Sequence, residues 1–452
     1  TNPGFVVRIT QAGLDYANRH ATAVLEKELA RLKLPDISGD FRIRLLGKVH
    51  YEISGLNLRN FHLPHSQIST VPNVGLQASI SNAFAELDGR WRVKLRFIRH
   101  HGSFRLKVED ISIKISLKLG RDTSGKPTIE PSSCSTHISR VRVRFSGSFG
   151  WLYNLFHKAI ESKLRKTLES KVYALGSAVP SPSRSSSAPC LAVTAKIDAM
   201  TGIDYSLVAP PVATAQSLNV DLKGECFSLA HRTAVPFAPP VLAFPADQDR
   251  MIYFGASSYF FNTAGFAYHA TGALVFEITD SMVRKGGGMG PAASRLSEFL
   301  CTTLDKLYPN MLMKLRLSAP SAPFLSIGTN GLSLRPVVDI QAYAILSDAS
   351  LAPLFLLNLV SDVFATINLK SGRIAGRLDM GRLKLFSFPL SLHPQVKMLQ
   401  SIMNIFASSI LLPRLNERLD KGFPLPLLDR IQLSNILMQF HQVSGGARAC
   451  PA

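Results

Sequence analysis

In three runs between Trp91 and Leu119 apolar residues fall on every second position, and an extended strand is what gathers such an alternation onto one face. Trp91, Val93, Leu95 and Phe97 mark the first run, and Phe104, Leu106 and Val108 the second. Ile111, Ile113, Ile115, Leu117 and Leu119 form the third. Between the second and third runs the phase slips at Glu109–Asp110. A slip in an otherwise regular alternation predicts a bulge, which bends a sheet toward a barrel.

The opposite face of the first run carries Arg90, Arg92, Lys94 and Arg96. From Arg90 to Lys107 the chain holds seven Lys/Arg and two His without a carboxylate. Val141, Val143 and Phe145 alternate with Arg140, Arg142 and Arg144, giving a second strand with a cationic face. Such faces suit a polyanion: lipopolysaccharide, an acidic membrane, heparin or nucleic acid. The competing reading is a merely solvated basic surface.

At 452 residues, 46% of them hydrophobic and 18% charged, the chain is globular and makes two or three domains. Its net charge of +20 is uneven: residues 1–230 hold 31 Lys/Arg against 18 Asp/Glu, making the front half the anion-binding half. The run Leu351–Val360 is too short to span a membrane. A chain starting at Thr1 suggests a removed signal peptide. Five scattered cysteines without a CxxC argue against a zinc module and allow two internal disulfides at most.

Helical spacing over 10–34 joins Leu14, Ala17, Ala21, Leu25 and Leu29 until Pro35. A second helix is expected over 151–172, with Leu155 and Phe156 on its apolar side and Lys158, Lys163, Arg165, Lys166 and Lys171 opposite. Residues 41–145 read mostly as strands, 176–190 as a Ser/Pro-rich loop, and 236–245 as a semi-rigid Pro connector. The second half repeats the plan: short strands over 251–279, a helix near 292–308, strands over 324–347 and 363–392, and a last helix near 395–420. The expected class is α+β, with domains at 1–230 and 251–452 and a Pro-rich linker at 231–250. No GxSxG, HExxH or phosphate-loop signature occurs, so neither an enzyme nor a metal site is expected; GGGMG at 286–290 lacks the following GK[ST]. His100–His101 read as loop residues at a hairpin end.

Several segments in one order resemble the bactericidal/permeability-increasing and lipopolysaccharide-binding protein family of lipid-transfer proteins. They are TNPGFVVRIT at the start, GLDYA at 13–17, Ser66–Leu76, SGKPTI at 124–129, SSCSTHI at 132–138 and GWLYNLFHKAIESKLR at 150–165. AKID at 195–198, DYSLVAPP at 204–211, PFAPPV at 236–241, YFFNTAG at 259–265 and KGFPLPLLDRIQL at 421–433 continue the series. The resemblance implies an elongated boomerang of two twisted antiparallel barrels with long helices, joined through a central sheet. It implies an apolar pocket in each half holding a phospholipid tail, with Leu14, Ala17, Ala21, Leu25, Leu155 and Phe156 as candidate lining. It implies a secreted or granule-stored monomer that binds lipopolysaccharide at the bacterial surface, with no catalysis, no cofactor beyond bound phospholipid, and no specific nucleic acid. The family's cationic tip maps to Arg42, Arg44 and Lys48 in one hairpin and to Arg90, Arg92, Lys94, Arg96 and Arg99 in the next.

The sequence departs from the family in places. The family's disulfide would join Cys134 to the position of Tyr173; Cys190 is the alternative partner. Segments 174–190, 284–294 and 443–452 also diverge. Two further functions fit the same residues: a phospholipid-transfer protein using its charge for docking, and a general binder of heparin-like polyanions.

Overall fold

The computed structural model describes residues 1–29, 36–43, 47–95, 98–146, 193–242, 248–279, 311–328, 331–387, 396–426, 433–434 and 436–440, plus scattered helical residues between 158 and 170. A short strand, β1 (Phe5–Thr10), leads directly into α1 (Gln11–Leu29). Then come β2 (Ile37–Ile43), β3 (Gly47–His62), β4 (His65–Val71), β5 (Gly75–Leu95), β6 (Ile98–Arg121) and β7 (Pro127–Phe145). These six form one antiparallel sheet in the order β2-β3-β5-β6-β7, with β4 paired to β5.

The alternation sorts the faces as expected. Trp91, Val93, Phe104, Leu106, Val141 and Val143 belong to one buried cluster, while Arg90, Arg92 and Lys94 are exposed on the other side. The slip becomes a bulge. Ala83 pairs with Ile111 and Ala85 with Val108, so Glu109 and Asp110 together face Phe84 alone. Asp110 takes φ +56° there, and the apolar face resumes in phase at Ile111.

The helix α1 meets the sheet through a polar stripe that hydropathy did not reveal. Gln11 Nε2 donates to the Ile68 carbonyl at 2.7 Å and Asn18 Nδ2 to the Ser66 carbonyl at 2.8 Å. Thr22 and Ser66 share a hydroxyl bond of 2.6 Å, and Glu26 Oε1 accepts the Leu63 N–H at 2.7 Å. An edge strand presents unpaired backbone groups, and these side chains satisfy them.

The middle of the chain supplies β8 (Thr194–Lys196), β9 (Thr201–Asp204), β10 (Val212–Ala213), β11 (Ser217–Leu222), β12 (Glu225–Ser228) and β13 (Ile252–Ala256). A central sheet runs β10-β11-β1-β13, so β1 is flanked by strands from either side of the Pro-rich stretch. Phe5, fully buried, packs its ring 5.6 Å from Tyr205 and 5.4 Å from Phe260. The Pro-rich stretch is tied down: the Phe237 ring lies 5.7 Å from Tyr259 and 5.8 Å from Phe324, and Asn2 Nδ2 donates to the Pro239 carbonyl at 3.1 Å.

Beneath it sits a charge network. Asp204 and Glu225 are buried and directly opposite each other on β9 and β12. Lys223 reaches both carboxylates, at 3.7 and 3.0 Å, and Arg232 bridges both while its guanidinium covers the Phe227 ring at 4.4 Å. Tyr259 donates to Glu225 at 2.6 Å. Burial pushes the Asp204 carboxyl up, but hydrogen bonds from Arg232 and Ser206 outweigh it and hold the group below its ordinary value.

The second half departs from the expected run of short strands. The span 251–279 holds not only the strands β13 and β14 (Val275–Thr279) but a 13-residue helix, α2 (Ser258–Ala270). Its sequence SYFFNTAGFAYHA is apolar nearly all round, so no amphipathic period marks it; Tyr259, Phe260, Asn262, Thr263, Ala264 and Ala267 are all buried. The helix expected near 292–308 lies outside the described residues. Strands β15 (Leu312–Ser318), β16 (Leu325–Gly328), β17 (Gly331–Leu334), β18 (Val337–Ile345), β19 (Leu351–Lys370) and β20 (Arg373–Ser387) complete a second large antiparallel sheet with β14 and β21 (Phe423–Pro424). The apolar run at 351–360, too short to span a membrane, opens β19. The expected last helix is present as α3 (Val396–Phe406), a π-helical turn (Ala407–Leu411) and α4 (Leu412–Lys421).

Amide clips recur here. Asn416 binds both backbone groups of Leu378, at 2.7 and 3.0 Å, and Asn262 binds both of Leu325, at 2.7 and 3.1 Å. Gln400 donates to the Leu383 carbonyl at 2.7 Å.

Candidate anion- and lipid-binding site

The two basic hairpins meet at one end of the six-stranded sheet. Arg42 on β2 lies directly opposite Lys48 on β3. One strand further, His50 faces Lys94 on β5, and Lys94 faces Arg99 on β6. The next rung runs Glu52, Arg92, His101. Arg42, Lys48, Arg90, Arg92, Lys94 and Arg99 are all exposed on this face. Two residues of the expected set, Arg44 and Arg96, lie outside the described residues.

Three carboxylates that sequence reasoning passed over thread this face. Asp40 takes His50 Nδ1 at 2.7 Å and Lys48 Nζ at 3.1 Å, and these hydrogen bonds, His50 first, hold its carboxyl below the usual range. Glu52 sits 3.5 Å from Arg92. Asp88 is bound by Arg59 and lies 3.6 Å from Arg105. They could have been found by writing out the ladder, because each falls on the outward parity of its strand. Among the described residues, Arg42, Arg90, Lys94 and Arg99 have no carboxylate within ion-pair reach. The tip is therefore a net cationic surface whose arginines can fork onto oxyanions while its lysines act as point charges. His100 and His101 are strand residues of β6 rather than loop residues; His101 is exposed opposite Arg92.

The expected lipid pocket is only partly described. Leu14 is buried, as a lining or core residue must be. Ala17 is exposed, because α1 turns its polar stripe to β4 and leaves this position to solvent. The side chains of Ala21 and Leu25, and residues Leu155 and Phe156, lie outside the described residues. Within the second helix, Lys158, Lys163 and Lys166 are exposed, but Arg165 turns inward and donates to the Ser139 carbonyl at 3.3 Å. A cleft of about 620 Å³ lies between α1 and strands β4 and β5, yet Asn18, Arg19, His65, Ser66 and Gln67 make it polar. A second cleft of about 480 Å³ lies in the other half, flanked by the exposed rings of Phe324 and Phe364.

Cys134, half-buried on β7, is a free thiol, so the expected bridge is absent at this residue; Cys190 lies outside the described residues, as do Tyr173 and segments 174–190, 284–294 and 443–452. Cys226 is also free, and burial pushes its thiol up to about 12. No helix among the described residues is long and apolar enough to cross a membrane.

Comparison with known proteins bears on what this face meets. Residues 13–173 match the LBP / BPI / CETP family, N-terminal domain, and residues 195–444 match the LBP / BPI / CETP family, C-terminal domain. A lipopolysaccharide-binding protein of Homo sapiens is 40% identical over 443 residues, covering 98% of this chain and 92% of the relative. A bactericidal permeability-increasing protein of Rattus norvegicus is 38% identical over 444 residues, again covering 98% and 92%. A crystal structure of lipopolysaccharide binding protein superimposes with a TM-score of 0.61 at 36% identity, covering 97% of this chain and 98% of that one.

Proposed function

The chain belongs to the LBP / BPI / CETP family, and from that premise we propose that it binds lipopolysaccharide as a secreted protein of innate defence. The observation that carries the reading is the convergence of two basic hairpins on one outward face, with Arg42, Lys48, Lys94 and Arg99 at its end. Arginine forks and lysine charges engage lipid A phosphates there, while apolar surface takes acyl chains at ~0.8 kcal/mol for each buried CH₂. Charge alone recruits any polyanion, including heparin-like chains, and an apolar pocket alone accepts any tail. Together they select an acylated, phosphorylated lipid. Phospholipid is the resident cargo, the bacterial outer membrane is the surface met, and the protein acts as a monomer without catalysis.

The test is binding of the purified chain to intact and to deacylated lipopolysaccharide, at low and at physiological salt. A preference for the acylated form that survives salt is expected. Equal binding of both forms, abolished together by salt, would make the protein a generic polyanion binder and refute the reading.

A further inference from the structure

Beyond the tip, the same outward face carries a second concentration of positive charge. Arg105 on β6 and Arg144 on β7 lie directly opposite each other, both exposed. Like charges opposed across a strand pair destabilise a sheet, and the neighbouring cations on this face have partners nearby. Lys107 and Arg142 share Glu109, each at 3.3 Å, and Arg92 has Glu52. The Arg105–Arg144 rung is compensated on one side only, through Arg105. Its nearest carboxylate, Asp88, is bound by Arg59 and stands 3.6 Å from Arg105. Among the described residues Arg144 has no carboxylate within reach. Arg90 projects from the neighbouring rung, opposite Ser103, and is likewise without a carboxylate.

We propose that Arg105 and Arg144, supported by Arg90, form a second anion site that takes a phosphomonoester group. Two adjacent guanidinium planes offer several N–H donors to one tetrahedral oxyanion, and the anion removes the repulsion between them. Six positions separate Arg99 from Arg105 along β6, which at the strand rise places the Arg105–Arg144 pair about 20 Å from Arg99, with Arg92 and Arg90 on the rungs between. The pair and the Arg99 end of the tip are thus too far apart for one phosphate to span. They can hold two phosphates of one extended ligand, or of neighbouring molecules on one surface. The second site presupposes the phosphate-binding reading given above, but not acyl-chain capture.

The experiment compares the full chain with its Arg105→Gln/Arg144→Gln double variant against two probes. One is the bisphosphorylated disaccharide of deacylated lipid A, the other phosphatidylcholine vesicles doped with phosphatidic acid. Titration at low salt is expected to show affinity weakened by about tenfold in the double variant. Loss on both probes means that the site reads the phosphomonoester whatever carries it. Loss on the saccharide alone, or on vesicles alone, assigns the source. Unchanged affinity on both, while the wild-type chain binds, overturns the second site. If the wild-type chain binds neither probe, the proposed function falls first and the site with it. Arg144→Gln alone is expected to leave the melting temperature unchanged or raise it, since a repulsive pair is relieved. A marked fall would make the pair structural and overturn the assignment. Arg144→Lys, which keeps the charge but loses the fork, is expected to retain part of the affinity.

Discussion

Replacing Arg232 with Met removes one of two cations holding a pair of buried carboxylates. The Asp204 and Glu225 side chains are 9% and 10% exposed, and they face each other across β9 and β12. Removing one partner of a buried ion pair costs ~3–5 kcal/mol, because the other charge is left unpaired. Two features reduce that here. The Arg232 side chain is 44% exposed, so solvent screens it, and Lys223 remains within reach of both carboxylates. The expected loss is therefore about 2 kcal/mol. For a cooperative unit of ~150–250 residues this lowers the melting temperature by about 4–8 °C.

The pH dependence supplies a sharper check. Asp204 is held below its ordinary value in the wild-type chain, so its stabilisation is present above that value and lost as pH falls through the folded one. Without Arg232 the largest influence holding the carboxyl down is lost, and its folded value moves upward. The deficit from Asp204 is thus full at neutral pH and narrows as pH falls toward the carboxylate range, where Asp204 takes up its proton earlier in the variant than in the wild type. Thermal unfolding followed by circular dichroism at neutral and acid pH reads both effects. Arg232→Lys, keeping the charge without the fork, should fall between wild type and Met. A Met variant that melts with the wild type at neutral pH, or a deficit that grows in acid, would refute the network as a source of stability.

Other expectations are simpler to state. Changing Arg92, Lys94, Arg96 and Arg99 to Ser should weaken endotoxin binding by about an order of magnitude or more while thermal stability barely moves; unchanged affinity would place the site elsewhere. Asn416→Ala removes both bonds to the Leu378 backbone and should cost about 1–2 kcal/mol, seen as faster amide exchange at Leu378. At the bulge, Asp110→Gly should be neutral or stabilising, whereas Asp110→Val should cost about 1–2 kcal/mol in chemical unfolding, because its φ of +56° disfavours a β-branched residue. Alkylation of the folded chain at mildly alkaline pH should modify Cys134 and spare Cys226, whose thiol is buried and pushed up to about 12.

The first sheet was legible because alternation is a local signal: Trp91 and Val93 point inward whatever lies elsewhere in the chain, and Arg90, Arg92 and Lys94 must then point out. The bulge was legible for the same reason, since one extra residue between Val108 and Ile111 has nowhere else to go. α2 was not legible. Its Phe260 and Ala264 are buried among residues that come from Phe5 and Phe423, and no local period records contacts of that range. The polar stripe of α1 escaped because Asn18 and Thr22 resemble solvent-facing residues until β4 is placed beside them. At the tip the cations and the outward parity of Asp40, Glu52 and Asp88 were readable, but which cation each carboxylate meets was not, because ion pairing depends on register between strands rather than on sequence distance. Arg165 was read as a surface cation and proves to be an inward donor, a distinction that amphipathicity cannot draw for long side chains that bury their stems.

The amide clips have a mechanical consequence. A strand added along an edge is held by a ladder and must be unzipped bond by bond, whereas a helix held by Asn416 or Asn18 is fastened at a few points. At about 1 kcal/mol net for each hydrogen bond, such a fastening is far weaker than a ladder of equal length. α1 and α4 therefore act as latched covers over sheets that stay intact when a latch is released. Each latch is a single replaceable side chain, so the ease of lifting a cover can be tuned without altering the sheet beneath it.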